Sequence, residues 1–325
     1  MMPPPAAAAF LATAGWGNAK ISPLAGDASF RRYFRIIDGD RRAVLMDVPP
    51  PHEDPRPFIA IAGYLTSHGF AAPRIHARDL EQGLVLIEDL GDERMRETVD
   101  ASPAREVALY RDCVDLLTRL HAIEPADLPL YDRDVYLREV ALFTDWYCPA
   151  VGVDADAAAF VAAWDAVLAP VIAAQAKPVT VLRDYHSENI MLIDGANRLG
   201  LLDFQDALIG HPAYDLVSIL QDARRDVSPA IERAMLDHYR SAAGVGDEFE
   251  RDYTILGAQR NIKILGIFTR LWKRDDKPGY LAYQPRMWGM LDRDLAHPVL
   301  APVKAWFDAT LPFEKRAAFW ANHRA

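Results

Sequence analysis

Cysteine is scarce in this sequence of 325 residues, and its two examples, Cys113 and Cys148, each stand in an apolar helical pattern. Two thiols do not make the disulfide framework that a small secreted domain needs. We therefore interpret both as buried thiols and expect a reducing, cytoplasmic environment. No secretory leader is expected, because the first residues lack a basic region and Pro3 to Pro5 break their apolar run.

Positive charge is also in short supply. The formal net charge is -10, so the chain has no general excess of lysine and arginine with which to neutralise nucleic-acid phosphates or an anionic membrane surface. No uncharged apolar run reaches the length of a membrane span. These features predict neither nucleic acid nor membrane as a partner, and no obligate protein partner. An anionic ligand would need a local cation or a metal ion.

The sequence pattern changes character along the chain, and no repeat of fixed period is present. Residues 1–20 form a Pro/Ala-rich tip that we expect to be flexible. Residues 21–90 predict a small sheet with one helix, including a hairpin around Asp38-Gly39-Asp40. Residues 91–325 show mainly helical periodicity. The predicted fold class is therefore α+β, with a small β-rich N-terminal lobe and a larger helical C-terminal lobe.

Two acids and one amide stand close to two short apolar strands in the second half of the chain. Asp184 and Asn189 follow a strand predicted at 179–182, and Asp203 follows one at 199–202. Phosphoryl transfer uses a carboxylate that receives the acceptor's proton, a role that suits Asp184. Mg²⁺ takes oxygen ligands such as Asn189 and Asp203, and a hairpin would bring these two side chains together. The alternative for such residues is the capping of turns.

These segments resemble a known superfamily. The sequences LRDYHSEN at 182–189 and LLDFQDA at 201–207 are similar to the catalytic and metal loops of the aminoglycoside phosphotransferases and choline kinases. The resemblance implies a two-lobed protein-kinase-like fold with ATP in the cleft. It also implies that Asp184 is the catalytic base and that Asn189 and Asp203 are Mg²⁺ ligands.

Three neighbours of this cluster bear on the resemblance. Leu182 stands where the family usually has a histidine, which removes a hydrogen-bonding anchor but no phosphate or metal ligand. Asp215 resembles the aspartate that braces the catalytic loop in the family, and helix capping is its alternative role. Asp206 either holds a substrate hydroxyl or caps the loop that follows it.

The nucleotide side departs further from the family, which carries a phosphate-binding lysine on the third strand. This chain has Met46-Asp47 there. Backbone amides at Gly26 and Ser29 could approach phosphates, and Arg32 is our first candidate for a replacement cation. The alternative interpretation is an exposed basic strand.

The segment at 84–91 resembles the strand and hinge beside the adenine base in the family. The resemblance implies that Glu88 and Leu90 neighbour the nucleotide through main-chain atoms. An ordinary buried strand and turn is the alternative interpretation.

A helix predicted at 259–273 carries polar and cationic side chains on one stripe of an otherwise apolar surface. Gln259, Lys263 and Arg270 share that stripe, and we predict that they bind the acceptor. A solvated helix face is the alternative. Choline would instead call for an aromatic cage, for which the chain offers Trp272, Tyr280, Tyr283 and Trp288.

Four segments resemble one branch of the superfamily, the bacterial anomeric kinases of N-acetylmuramate and N-acetylglucosamine. They are GDASFRRY at 26–33, MDVPP at 46–50, DFQDA at 203–207 and KPGYL at 277–281. The resemblance implies ATP- and Mg²⁺-dependent phosphorylation of the C1 hydroxyl of a small amino sugar in peptidoglycan recycling. It also makes the Met-Asp pair a trait of that branch.

The lactyl carboxylate of N-acetylmuramate would give the basic helix an electrostatic partner. Two alternative functions stay open at this point. One is a phosphotransferase that acts on an aminoglycoside, choline or another small hydroxyl compound. The other is a catalytically inactive nucleotide-binding scaffold.

Overall fold

The computed structural model of the chain describes residues 1–24, 31–51, 53–175, 177–193 and 198–316. Its fold is mixed α+β, as predicted, and separates into two compact units. The N-terminal unit comprises Met1–Ser102 and Glu188–Ala207, and the C-terminal unit comprises Pro103–Ser187 and Leu208–Ala325. The first break falls at Ser102, later than the predicted position near Gly91, and a second segment returns to the N-terminal unit.

Strands lie mostly in the first unit and helices mostly in the second. The strands are β1 (Lys20–Pro23), β2 (Arg32–Asp38), β3 (Arg41–Asp47), β4 (Ile75–Asp79), β5 (Leu84–Glu88), β6 (Val179–Val181), β7 (Ile190–Ile193), β8 (Arg198–Leu201) and β9 (Leu208–Gly210). The α-helices are α1 (Ala7–Thr13), α2 (Arg56–Ser67), α3 (Met95–Ala101), α4 (Glu106–His121), α5 (Arg133–Leu142), α6 (Cys148–Ala150), α7 (Ala157–Ala174), α8 (Ala213–Leu220), α9 (Pro229–Ala243), α10 (Glu248–Asp275), α11 (Gln284–Leu295) and α12 (Ala301–Thr310).

An antiparallel sheet forms the centre of the N-terminal unit. In the part of this unit that the structure describes, it has five strands in the order β1-β2-β3-β5-β4. β2 and β3 form the predicted hairpin, with Gly39 in its turn at a φ of 60°, a conformation that glycine adopts without strain. Arg32 stands opposite Asp47 in the register of this hairpin.

The N-terminal tip contains α1, which belongs to the hydrophobic core of the sheet. Ala7, Leu11 and Trp16 are buried in one cluster with the sheet residues Phe34, Ile36, Ala43, Leu45, Leu84 and Leu86. Burial of apolar surface stabilises a short helix that would not persist alone. The expectation of a flexible tip is corrected for this stretch, because its apolar residues are packed in the core.

The long helix α10 is the central element of the C-terminal unit. It runs for 28 residues and packs against α5, α8 and α11. Buried positions occupy most of its middle and include polar and charged side chains as well as apolar ones. The polar stripe of α10 is therefore buried over part of its length.

Aromatic side chains fill much of the rest of this unit. Residues 143–147 form one π-helical turn after α5, and Phe143 stacks on Tyr147 with ring centroids 4.7 Å apart. The edge of Phe143 also meets Trp288 and Phe307 at 5.8 and 5.6 Å. Cys113 and Cys148 are both buried, as predicted, and neither forms a disulfide in the part of the chain that the structure describes.

The helix α7 is long and apolar enough to cross a membrane by length and composition alone, with a mean hydropathy of 1.9. Its large side chains Phe160, Trp164 and Leu168 are buried. At its start, the Trp306 indole N–H from α12 donates to the carbonyl oxygen of Asp156 at 3.1 Å. The helix therefore contributes its large apolar residues to the core of the C-terminal unit.

Candidate active site

Asp184, the predicted base, lies in a tight loop that begins where β6 ends. Its N–H donates to the carbonyl oxygen of Leu182 at 2.9 Å, and its own carbonyl oxygen accepts from the N–H of His186 at 3.1 Å. Arg183 has a φ of 69°, a left-handed conformation that non-glycine residues adopt mainly where the surroundings impose it. The backbone is thus constrained at the residue directly before Asp184.

Asp215, near the start of α8, supplies that constraint. Its two carboxylate oxygens accept the backbone N–H groups of Leu182 at 2.6 Å and Arg183 at 2.8 Å, and the Ser218 hydroxyl donates to the Arg183 carbonyl oxygen at 3.2 Å. Burial raises the pKa of Asp215 to about 7, although the two N–H groups act in the opposite sense. The bracing role is confirmed, and the capping alternative is wrong because Pro212 is the N-cap of α8.

A second buried acid, Asp222, holds the other end of the loop. Its Oδ2 accepts from both the N–H and the hydroxyl of Ser187, at 3.1 and 2.5 Å. Its Oδ1 accepts the N–H of Arg224 at 2.8 Å, and the Arg224 guanidinium lies 3.1 Å from Nε2 of His186. Asp222 was not predicted as a site residue, since its one signal in the sequence is an acid shortly after an apolar helix.

The charges around Asp184 favour its ionised form. Burial opposes ionisation, but nearby cations outweigh burial and lower the pKa of Asp184. Lys263 contributes most among these cations, followed by Arg260 and Arg183. Asp184 is therefore a carboxylate at neutral pH, which is the state that a proton acceptor requires.

Lys263 and Gln259, two of the predicted acceptor residues, are buried in a network around Glu139 of α5. Lys263 Nζ lies 2.9 Å from Glu139 Oε1, and Gln259 Nε2 donates to Glu139 Oε2 at 3.1 Å. Arg183 and Tyr131 also bond this carboxylate. The solvated-face alternative is therefore wrong for Gln259 and Lys263, and the network joins α10 to the residue before Asp184.

Glu139 itself was missed by the sequence analysis. It lies on the buried side of α5 with Tyr136 and Val140. Burial acts against its charge, but Lys263 and then Arg183 outweigh burial and lower its pKa. An acid inside the apolar stripe of an amphipathic helix is the signal that could have identified it.

Arg270, the third predicted acceptor residue, lies about two turns beyond Lys263 on α10. Burial and the neighbouring charge of Arg274 lower its pKa, against the opposite effect of Asp275. Its Nε is buried and has no hydrogen-bond partner among the residues that the structure describes. A cation in these surroundings is suited to an anionic ligand group.

The aromatic residues that a choline cage would use do not all lie together. Tyr280 and Tyr283 lie next to each other, with ring centroids 6.4 Å apart, and both contact Phe268. Trp288 is buried, and its indole N–H donates to the hydroxyl of Tyr147 at 3.0 Å. Trp288 is therefore a core residue and does not support a cage.

Asn189 and Asp203, the predicted metal ligands, lie side by side in the N-terminal unit. β7 and β8 form the hairpin expected between them, with Ile190 opposite Leu201. Asn189 Nδ2 lies 3.5 Å from Asp203 Oδ2, and the Asp203 side chain is 34% exposed. The predicted return of Asp203 to Asn189 is confirmed. Asp203 also has a left-handed backbone, with a φ of 57°.

Several contacts fix the loop that carries Asp203. The N–H of Leu202 donates to the carbonyl oxygen of Asn189 at 3.0 Å, and Gln205 Nε2 donates to Asp203 Oδ1 at 3.0 Å. Phe204 is buried and stacks on Phe58 of α2, with centroids 5.1 Å apart and planes at 11°. The left-handed turn at Asp203 is therefore held on both sides.

A carboxylate and a side-chain amide in contact suit a hard cation such as Mg²⁺, which takes oxygen ligands and keeps several waters. A half-turn of the Asn189 amide would present its oxygen in place of its nitrogen. Over the described ranges, no group of three or more His, Cys, Asp and Glu side chains could hold a metal ion. An ion held by Asn189 and Asp203 would thus complete its coordination with ligand phosphates and water.

Arg32, the predicted replacement cation, is bound by the acid across the hairpin. Its Nε and a terminal nitrogen lie 2.7 and 2.5 Å from Oδ2 of Asp47. This pairing reduces the charge that Arg32 offers to a nucleotide, so its role there stays a prediction. Gly26 and Ser29 lie outside the described residues.

Arg31, one residue earlier, lies between two other acids. Its Nε is 2.7 Å from Glu53 Oε2, and its Nη1 is 3.6 Å from Asp203 Oδ1. Asp206 is exposed and contributes to raising the pKa of Arg31. Glu53 was not predicted as a site residue, because it stands in a proline-rich segment before α2 and belongs to no motif.

The hinge segment after β5 is fixed by its neighbours in the same unit. The N–H of Glu88 donates to the carbonyl oxygen of Arg74 at 2.9 Å, and Arg35 Nε lies 2.7 Å from Asp89 Oδ2. A Cβ atom added at Gly200 would lie 3.0 Å from Cδ1 of Leu90, so Leu90 packs closely against that strand. A main-chain contact to a base would use the Glu88 carbonyl or Leu90.

Comparison with known proteins places these features in a family. A model of the phosphotransferase enzyme family matches residues 20–252. A Caulobacter vibrioides protein named N-acetylmuramate/N-acetylglucosamine kinase is 39% identical, with 96% of this chain and 97% of the relative covered. A Pseudomonas aeruginosa protein of the same name is 38% identical, with 87% and 86% covered.

The fold is shared more widely. The crystal structure of a choline/ethanolamine kinase family protein from Mesorhizobium loti has a TM-score of 0.64 to this chain at 15% identity. The match covers 92% of this chain and 98% of that structure. At this level of identity the likeness shows the architecture alone.

Proposed function

The chain belongs to the phosphotransferase enzyme family, and from this premise we propose that it transfers the γ-phosphoryl group of ATP to the C1 hydroxyl of N-acetylmuramate, N-acetylglucosamine or both. It is a kinase that acts on an alcohol group. The choice of acceptor follows the name of relatives that align with most of the chain. The observation that carries the reaction type is the ionised Asp184 on a loop braced by Asp215.

In this mechanism the carboxylate of Asp184 orients the C1 hydroxyl and accepts its proton while the hydroxyl oxygen bonds to the γ-phosphorus. The bond from that phosphorus to the bridging oxygen breaks, and ADP leaves with the electron pair. The lowered pKa of Asp184 supports this role because the acceptor must be free of its own proton. The braced backbone supports the fixed orientation that phosphoryl transfer requires.

We propose Asn189 and Asp203 as the protein ligands of Mg²⁺. When bound, the ion would neutralise charge on the β- and γ-phosphates. The 3.5 Å contact between the two side chains supports this assignment. Glu88 and Leu90 are proposed as main-chain neighbours of the adenine.

The acceptor side is proposed to use α10. Arg270 is half-buried, and its buried Nε has no hydrogen-bond partner among the residues that the structure describes. This supports contact of its guanidinium with the lactyl carboxylate of N-acetylmuramate. Lys263 and Gln259 would contribute through the Glu139 network that also reaches Arg183. Asp206 is exposed and is proposed to meet a sugar hydroxyl.

The proposed reaction serves peptidoglycan recycling in the cytoplasm. Its substrates, ATP and a free amino sugar, are small molecules. Two buried thiols that form no disulfide among the described residues support a reducing compartment.

The test is to incubate the purified protein with Mg·ATP and each amino sugar, and to locate the transferred phosphate by ³¹P NMR. We expect a sugar 1-phosphate. The Asp184→Asn variant should form it at least about 100-fold more slowly, while calorimetry shows ADP affinity within about threefold of the original. Transfer to choline or an aminoglycoside alone would reassign the acceptor. ATP binding without any transfer would identify an inactive scaffold.

A further inference from the structure

The position where the family carries its phosphate-binding lysine offers no cation in this chain. Met46 is fully buried, and Asp47 is 2% exposed and bonded to Arg32. Phosphoryl transfer nevertheless requires positive charge beside the nucleotide phosphates. We propose that Arg31 supplies this charge and that Glu53 positions it, an inference that rests on the proposed use of ATP.

The geometry of Arg31 supports this assignment. Its Nε lies 2.7 Å from Glu53 Oε2, and its Nη1 lies 3.6 Å from Oδ1 of Asp203, the proposed metal ligand. A guanidinium can bind one carboxylate through one edge while other N–H groups face a phosphate. Arg31 therefore lies beside the carboxylate that would hold the metal of Mg·ATP, and its remaining N–H groups would bind phosphate oxygens.

Burial and charge distinguish Arg31 from an ordinary surface arginine. Its side chain is only 12% exposed. Tyr33, Asp203, Glu53 and Asp206 all interact electrostatically with its guanidinium. Tyr33 also shares a side-chain hydrogen bond with Arg31, and burial raises the pKa of Tyr33 to about 12. The guanidinium is thus held by side chains on several sides.

The neighbouring arginines have different partners. Arg32 is bonded to Asp47 within the sheet. Arg35 binds Asp89 and Asp92 near the hinge. Within the described ranges, Arg31 is the arginine of this strand segment that contacts Asp203. The replacement is therefore one position away from Arg32, the candidate chosen from sequence.

The experiment measures Mg·ADP affinity by isothermal titration calorimetry for the full-length protein and its variants. Arg31→Ala should weaken binding at least about tenfold, because a charge-assisted hydrogen bond to phosphate is lost. Arg31→Lys should recover part of that loss. Arg56→Ala is the matched control, since the Arg56 side chain is 70% exposed and pairs with Asp54. The affinity of this variant for Mg·ADP should stay within about twofold of the original.

The role of Glu53 is tested by a double-mutant cycle. Glu53→Gln should weaken Mg·ADP binding less than Arg31→Ala does, and the double variant should bind no more weakly than Arg31→Ala alone, because Glu53 acts through Arg31. Thermal melting of each variant separates loss of binding from loss of the fold. In kinetics, KM for ATP should rise for both variants while KM for the sugar changes little.

Two results would overturn the proposal. One is a folded Arg31→Ala variant that binds Mg·ADP as well as Arg56→Ala does. The other is a larger loss of affinity in Arg32→Ala than in Arg31→Ala. Neither result bears on the acceptor, because sugar 1-phosphate formation by the unmodified protein tests the proposed function separately. If no sugar is phosphorylated but Arg31→Ala weakens Mg·ADP binding as expected, the proposed function is rejected. The assignment of Arg31 to the nucleotide phosphates then still stands.

Discussion

The carboxylate of Asp215 accepts the backbone N–H of Arg183 at 2.8 Å, and Arg183 holds a left-handed conformation directly before Asp184. The same carboxylate accepts the N–H of Leu182. The position of the proposed base thus depends on a side chain that itself performs no chemistry.

Asp215→Asn should impair both stability and turnover. An amide has one acceptor oxygen and would set its NH₂ group against one of the two backbone N–H groups. We expect the free energy of unfolding to fall by about 1–3 kcal/mol and kcat to fall about tenfold or more, since the loop loses its fixed geometry. Urea unfolding and initial rates measure the two effects. Asp237→Asn, at a 56% exposed acid of α9, is the control and should change neither.

Lys263→Met should shift the acid side of the pH profile of kcat to higher pH. Lys263 is the foremost of the cations that lower the pKa of Asp184 against the effect of burial. Without it the carboxylate will bind its proton at a higher pH and lose activity earlier as the pH falls. Lys304→Met, at an exposed lysine of α12, should leave the profile unchanged. A profile that does not move in Lys263→Met would show that this lysine does not tune Asp184.

Arg270→Ala should discriminate between the two amino sugars. N-acetylmuramate carries a lactyl carboxylate and N-acetylglucosamine does not. We therefore expect kcat/KM to fall about tenfold or more for N-acetylmuramate, and to stay within about threefold of the original for N-acetylglucosamine. Initial rates with both sugars at fixed ATP measure this. Arg274→Ala, at a 55% exposed residue one turn later, is the matched control. An equal loss of kcat/KM for both sugars would show that Arg270 does not recognise the lactyl carboxylate.

Gly266→Ala should destabilise the C-terminal unit. A Cβ atom at this position of α10 would lie 2.6 Å from the carbonyl carbon and oxygen of Leu142, at the end of α5. The backbones must move apart, and we expect a loss of about 1–3 kcal/mol in the free energy of unfolding. Gly63→Ala in α2, where an added Cβ meets nothing within 4 Å, should instead gain up to about 1 kcal/mol from helix propensity. Thermal or urea unfolding tests the opposite signs.

Asp294→Asn should change the pH dependence of stability. Asp294 is 5% exposed, and burial raises its pKa to about 8, with Gln221 and Asn261 bonded to it. Since its pKa is raised on folding, its protonated form favours the native state at low pH, and this contribution is lost as the pH rises through about 8.

The free energy of unfolding of Asp294→Asn minus that of the original protein should therefore increase by roughly 1–3 kcal/mol when the pH is raised from about 5 to about 8. Urea unfolding at the two pH values measures the difference, and any constant effect of the substitution cancels. A difference that does not change with pH would show that Asp294 is ionised throughout. Asp237→Asn again provides an exposed control.

Features that depend on local spacing could be predicted from sequence. The turn at Asp38-Gly39-Asp40 set the β2–β3 hairpin, and the separation of Asn189 from Asp203 set the β7–β8 hairpin. In each case the determining residues are close in the chain, so the turn chemistry and the strand pattern decide the outcome.

Partners that are distant in sequence could not be predicted in the same way. Glu139 with Lys263, Asp222 with Ser187, and Glu53 with Arg31 pair across long stretches of chain. Charged residues have no period that would indicate which of many possible partners each will meet. The preference for Arg32 over Arg31 arose from this limit, because the sequence does not show that Asp47 would bind Arg32.

The chain passes from the N-terminal unit to the C-terminal unit after Ser102, returns at Glu188 and leaves again after Ala207. During synthesis, the N-terminal unit therefore lacks its β7–β8 hairpin until the ribosome has added the segment that ends at Ala207. A nascent chain that stops earlier carries neither Asn189 nor Asp203 in place, and no single cut yields the N-terminal unit as one continuous fragment. Since translation proceeds from the N-terminus, the proposed metal ligands are synthesised only after the loop that carries Asp184.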